Sequence, residues 1–226
     1  MCGINQNTFS KANKEGWSQE QIVEGKAPDA SWVCDTMSIW MKGNSKTYEE
    51  LLFEMNLEGF FQAVKNGAHL IITGGEPLLS QKNIIGFILF LSVNGIMPPI
   101  EIETNGTILP SPEIEHLIGY WNISPKLSNS AMPFEKRIKD DSMEYFNKNE
   151  KAMFKFVVSG EEDMKEVLEL VSTFKIAKKK VWLMPDASNI EELLSKNQEV
   201  AVLALKHGLN FSSRLQVEIY NKTIGV

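Results

Sequence analysis

The chain has 226 residues and a formal net charge of −6, with 43% hydrophobic and 23% charged residues, a balance that supports one sizeable α/β domain with a packed core. Its basic residues nowhere run beyond Lys178-Lys179-Lys180, which excludes the concentrated positive charge of a nucleic-acid clamp, and no apolar run reaches the roughly 18 residues of a membrane span. Two cysteines, Cys2 and Cys34, with no basic-then-apolar leader, point to a reducing, cytoplasmic compartment rather than a disulfide scaffold.

Cys2 to Gly25 is polar and without period, but Ser18 and Gln21 carry a capping-box pattern that predicts one short helix after Ser18. No strand is expected before it. From Thr47 the pattern becomes regular. Tyr48 to Asn66 reads as one long helix, with Leu51, Leu52, Met55, Phe60 and Val64 at helical spacing and Gly67 as the stop. His69 to Thr73 is a short buried strand and Ser80 to Asn94 a helix. Within the latter, the apolar stretch from Ile84 is broken by Gly86, Ser92 and Asn94, as in a buried amphipathic helix. Ile100 to Glu103 is a strand, Ser111 to Tyr120 a helix with Pro112 in its first turn, and Asn122 to Ser124 a strand. Leu127 to Lys151 is charged and irregular and reads as a surface excursion beside the strand ends. Met153 to Val158 is a strand, Glu161 to Lys175 a helix, Lys180 to Met184 a strand, and Asn189 to His207 a helix. Val217 to Tyr220 reads as a helix-free stretch that adds an edge strand or a dimer contact. Strands alternating with helices imply parallel pairing through right-handed crossovers. The units are too few for eight, so the fold class is α/β, a partial, open parallel (β/α) barrel with its site at the C-terminal strand ends.

Those strand ends carry the informative residues. Thr73-Gly74-Gly75-Glu76-Pro77 follows the first strand, where two glycines permit close ligand approach and Glu76 stands near enough to hold an ammonium group; a tight turn stiffened by Pro77 fits the same residues. Alternation puts Glu101 and Glu103 on one strand face, and Lys155 between Phe154 and Phe156 has the same pattern. Charges pointing inward from a parallel sheet need partners, supplied either by an internal salt bridge or by a zwitterionic ligand. A desolvated Lys155 would also suit a Schiff-base lyase. Asn122-Ile123-Ser124-Pro125-Lys126 is another strand ending in polar groups, and Trp32-Val33-Cys34-Asp35-Thr36 holds a cysteine of the kind that is ordinarily structural. His69, His116 and His207 lack metal-ligand spacing and read as structural.

Taken in order, Cys-Asp-Thr at Cys34, Thr-Gly-Gly-Glu-Pro at Thr73, Glu-Thr-Asn-Gly-Thr at Glu103, Ser-Pro-Lys at Ser124 and Phe-Lys-Phe-Val-Val at Phe154 resemble the 7-carboxy-7-deazaguanine synthases. These are radical S-adenosylmethionine (SAM) enzymes of the deazapurine route to queuosine. The resemblance runs from about Trp32 to the C-terminus. It implies a 4Fe–4S cluster on three cysteines, SAM on the open iron, and an electron donor such as flavodoxin. It also implies a deoxyadenosyl radical that starts contraction of the 6-carboxy-5,6,7,8-tetrahydropterin ring with loss of ammonia. By position Gly74, Gly75 and Glu76 would meet the SAM amino group, and Glu103, Asn105, Ser124 and Lys126 its ribose and methionyl portions. Thr36 matches a Mg²⁺ ligand, hard oxygen suiting that ion. Thr73 and the C-terminal carboxylate of Val226 would meet the pterin, and the resemblance further implies a homodimer. Whether the product feeds transfer-RNA queuosine or a DNA modification stays open. Another radical SAM enzyme, such as a glycyl-radical activase, would share Gly-Gly-Glu-Pro but neither Ser-Pro-Lys nor Cys-Asp-Thr.

The pattern departs from the family at the cluster signature, Cys-x3-Cys-x2-Cys before Asp-Thr. Cys34 fills its last place, but Ser31 and Ala27 stand where the other two cysteines belong. On one reading residues 1–36 are an incomplete cluster loop with an insertion, Met1 is internal, and Cys2 or Cys34 is the third ligand, ahead of a barrel over residues 37–226. On the other the chain is a relative without a cluster that binds SAM or pterin without catalysis. Serine and alanine do not replace thiolates on iron.

Overall fold

The computed structural model describes residues 4, 6–34, 37 and 43–221. Strands β1 (Leu70–Ile72), β2 (Ile100–Thr104), β3 (Tyr120–Ile123), β4 (Ala152–Val158), β5 (Val181–Pro185) and β6 (Asn210–Phe211) lie side by side in chain order. Every neighbouring pair is parallel. This is the expected partial, open barrel.

Burial alternates along the strands because successive side chains leave opposite faces. One face presents Ile102, Trp121, Phe154, Phe156 and Leu183, all fully buried. Against it pack Ile84 and Ile88 of α5 (Gln81–Val93), Phe146 of α8 (Asp140–Lys148), Val167 of α9 (Glu161–Thr173) and Val200 of α10 (Ile190–His207). The opposite face carries Glu101, Glu103, Asn122, Lys155 and Trp182, none fully buried, and is the inner face of the open barrel. Among the described residues no helix is long and apolar enough to cross a membrane.

Several elements differ from expectation. Cys2 to Gly25 has no clear period in its sequence, yet it includes α1 (Gln6–Glu15), which buries Ala12 and packs Phe9 in a small cluster with Ile4, Ile22 and Met37. So few apolar residues make a faint period. The capping box does form: Ser18 and Gln21 exchange hydrogen bonds at the start of α2 (Gln19–Glu24). The single helix expected over Tyr48 to Asn66 is two, α3 (Tyr48–Leu57) and α4 (Phe60–Lys65), because Gly59 takes a left-handed φ of 85° that ends the first. The helix expected over Ser111 to Tyr120 is one turn, α6 (Pro112–Glu115), since the Gly119 amide bonds the Ile100 carbonyl and starts β3 early.

Leu127 to Lys151 is not a surface excursion throughout. It holds α7 (Phe134–Arg137) and α8, the crossover helix from β3 to β4, whose Phe146 meets Trp121 with ring centroids 5.5 Å apart. The helix-free edge stretch expected at Val217 to Tyr220 is instead α11 (Leu215–Tyr220), whose Val217 is buried with Ala187 and Leu193; the edge strand is β6.

Candidate functional site

Thr73 follows directly on β1, and the turn after it takes left-handed backbone at both Gly74 (φ 88°) and Gly75 (φ 56°). A Cβ at either glycine would meet no atom within 4 Å, so backbone geometry, not crowding, requires glycine here. The turn leaves both residues exposed at the strand end. Glu76 then caps the short 3₁₀ turn over Pro77–Ser80: its Oε1 accepts from the Leu78 amide at 3.1 Å and the Thr104 hydroxyl at 2.7 Å. Its Oε2 accepts from the Asn105 amide at 2.8 Å. Of roughly four lone-pair positions on a carboxylate, three are thus used within the protein.

The tip of β2 is shaped the same way. Asn105 Oδ1 accepts from the Thr107 amide at 2.9 Å and hydroxyl at 2.6 Å, closing a side-chain turn. Gly106 follows at φ 75°, where a Cβ would stand 2.6 Å from Ile123.

On the inner face, polar groups from three strands meet. The Thr73 hydroxyl donates to Glu103 Oε2 at 3.1 Å, and Lys155 Nζ stands 3.5 Å from Glu103 Oε1. The Glu103 and Lys155 side chains keep 40% and 28% of their exposure, so this internal ion pair does not pack the face shut. Two residues lower, Glu101 accepts from Asn122 Nδ2 at 2.9 Å and faces His69 Nδ1 at 2.5 Å, while the His69 ring stacks on Tyr120. Glu101 is therefore held by neighbours, and Glu103 is the inner-face carboxylate nearest the strand tips.

At the end of β3, the Ser124 amide bonds the Thr104 carbonyl and Lys126 Nζ donates to Ser124 Oγ at 3.3 Å. Lys126 also stands over the Trp32 ring, 5.3 Å from its centroid. Buried Arg137 fixes this corner: its Nη1 donates to the Lys126 carbonyl at 3.0 Å and pairs with Glu166, whose other oxygen accepts from the Ser128 amide and hydroxyl.

Trp32 brings the arm bearing Cys34 to the same end of the sheet. Its indole N–H donates to Asn129 Oδ1 at 3.0 Å, and Asn129 Nδ2 donates to the Val157 carbonyl at 3.3 Å. Cys34 is partly buried against the Ile4, Ala12, Ile22 and Met37 cluster. Cys2, Thr36 and Val226 lie outside the described residues. The last described residue, Asn221, accepts from the Ile190 amide at the start of α10, directly beyond β5, so the chain returns to the strand-tip end.

The sequence motifs miss Asn129, Asp186 and Arg137, and they quote Trp32 without a role. Asp186 had one visible signal, an acid immediately after the strand that ends at Pro185. Among the described residues, no group of three or more His, Cys, Asp or Glu side chains is arranged to hold a metal ion.

No protein-family model matches the chain. It is similar to the 7-carboxy-7-deazaguanine synthase of Pyrobaculum aerophilum, 31% identical over 157 residues, which are 70% of this chain and 67% of the relative. The synthase of the same name from Hyperthermus butylicus is 32% identical over 191 residues, 81% of this chain and 77% of the relative. That of Rhodopirellula baltica is 30% identical over 208 residues, 86% and 76%.

Proposed function

The chain belongs to the 7-carboxy-7-deazaguanine synthase family, a family of enzymes, and we propose that its inner sheet face binds SAM and 6-carboxy-5,6,7,8-tetrahydropterin at the strand tips. In the reaction we assign to the family, the pterin ring contracts to 7-carboxy-7-deazaguanine and ammonia leaves, a lyase step in deazapurine and queuosine biosynthesis. The observation that carries the reading is the Thr73–Glu103–Lys155 chain, charged yet accessible on the inner face of a parallel sheet. A paired ammonium and carboxylate that both reach solvent can exchange each other for the opposite charges of a zwitterionic ligand at modest cost.

The residues divide the ligands by charge. Carbonyls of the Gly74–Gly75 turn, with the remaining Glu76 lone pair, accept from the amino group of SAM. Lys126 and Ser124 donate to its carboxylate, Glu103 accepts from its ribose hydroxyls, and Asn105 donates to the ribose through Nδ2. Thr73, whose hydroxyl donates to Glu103, borders the pterin. Mg²⁺ at Thr36, the Val226 carboxylate at the pterin and a homodimer belong to the same proposal.

The 4Fe–4S cluster does not fit the residues present. It needs three thiolates, and the sequence holds two cysteines. At the spacing of the other ligands, Ala27 is buried and apolar, and the Ser31 hydroxyl is engaged by Asp186. The reading is therefore one of binding, with no chemical step derived through the cluster. Calorimetry with SAM, then with the tetrahydropterin, tests it. Binding of SAM that weakens at least about tenfold in Glu103→Gln is expected, as for a charged hydrogen bond. Absence of SAM binding to the wild-type chain overturns the reading.

A further inference from the structure

The hydroxyl that stands in place of a cluster thiolate is committed to another partner. Ser31 Oγ donates to Asp186 Oδ2 at 3.1 Å, and the Ser31 amide donates to the Asn129 carbonyl at 2.8 Å. Asp186, only 8% exposed, sits at the tip of β5. The same Oδ2 accepts from Ser159 Oγ at 2.9 Å, at the tip of β4. Lys196 Nζ lies 3.9 Å from it and donates to the Asp186 carbonyl at 2.6 Å. Two hydroxyls and one ammonium thus complete a nearly buried carboxylate, the condition under which such a charge is stable.

We propose that Ser31 and Asp186 are positioning residues that hold the Trp32–Cys34 arm over the strand tips by hydrogen bonds instead of through iron. The chemistry of the pair separates the two possibilities. A hydroxyl donor suits the Asp186 carboxylate. A metal-bound thiolate at position 31 would set a second anion against this nearly buried carboxylate, and like charges so close repel. The Asn129 hydrogen bonds to Ser31 and Trp32 complete the fastening, so the arm is stitched to β4, β5 and the loop after β3. The proposal takes from the preceding reading only that ligands enter at the strand tips.

The test reads the arm and the ligand separately. Alkylation of Cys34 by iodoacetamide, followed by peptide mass spectrometry so that Cys2 is scored apart, reports how firmly the arm is held. Ser31→Ala and Asp186→Ala are expected to speed Cys34 alkylation about fivefold or more, as loss of a hydrogen bond allows, while Ser31→Thr stays near wild type because it keeps the hydroxyl. Ser31→Ala is also expected to weaken SAM by a similar factor with the thermal midpoint of the barrel nearly unchanged, which a purely structural defect would not do. Unchanged Cys34 alkylation in both alanine variants overturns the proposal. So does anaerobic iron–sulfide reconstitution in which Ser31→Ala lowers bound iron, since that would make Ser31 a ligand. Should alkylation respond while no form binds SAM, the fastening stands and the binding reading falls.

Discussion

Glu76 Oε2 accepts the Asn105 amide hydrogen at 2.8 Å, so the diglycine turn after β1 and the tip of β2 form one unit. The same carboxylate holds Leu78 and Thr104. Glu76→Ala strands three donors, and the fold is expected to lose about 2 kcal/mol or more, since each part-buried donor left unsatisfied is costly. Glu76→Gln keeps one acceptor oxygen and loses about half as much. Urea denaturation measures both, and an unshifted midpoint in the alanine variant would show that the carboxylate does not fasten the tips.

The diglycine turn makes a sharper demand on the backbone. Gly75→Ala is expected to cost about 1–2 kcal/mol from its left-handed conformation alone, because a Cβ there meets no neighbour. Gly75→Asn should cost measurably less, since asparagine visits that region with its side chain bonded locally. Equal thermal midpoints for the two variants would remove backbone strain as the reason for glycine.

Most of the fold was legible because strong periods mark it. The β2 strand alternates apolar and polar residues, β4 is an apolar run broken only by Lys155, and α5 and α10 carry long apolar stripes. The errors lie where a few residues decide an element. One left-handed glycine, Gly59, splits a helix whose apolar spacing runs straight through it, and α8 enters the core on Met143 and Phe146 inside an otherwise charged segment. At the site, the motifs located the turn at Gly74 and the tips at Glu103 and Ser124. They could not reveal the Asn129, Asp186 and Arg137 bonds that join them, which link positions far apart in the chain.

The accessible pair on the inner face separates stability from binding. Glu103 and Lys155 lie 3.5 Å apart and both reach solvent, so their attraction is screened. Glu103→Gln and Lys155→Met are each expected to change stability by less than about 1 kcal/mol. Both are expected to lower affinity for SAM or pterin in calorimetry. Loss of several kcal/mol of stability in either variant, with ligand affinity intact, would make the pair a structural bridge.

Phe146 tests whether α8 is core. It is fully buried against Trp121, and Phe146→Ala is expected to cost about 3–5 kcal/mol through lost burial and the cavity left behind. A drop under about 1 kcal/mol in chemical denaturation would return α8 to the surface.

Tyr145, on the same helix, sets a pH dependence at the alkaline end. Burial, aided by the Glu115 carboxylate nearby, pushes its phenol up to about 12 from an ordinary value of 10.0. The folded state therefore holds this proton more tightly than the unfolded chain. The stability that follows is fully present below pH 10 and is lost as pH rises through the interval to about 12. Tyrosinate absorbance checks the first half: a step of ionisation that runs up to about pH 12 is expected while the fold persists, and Tyr145→Phe removes it. Denaturation at stepped pH checks the second, with wild type falling more steeply than Tyr145→Phe above pH 10. If Tyr145→Phe left the absorbance between pH 10 and about 12 unchanged in the folded protein, burial would not be holding the Tyr145 proton.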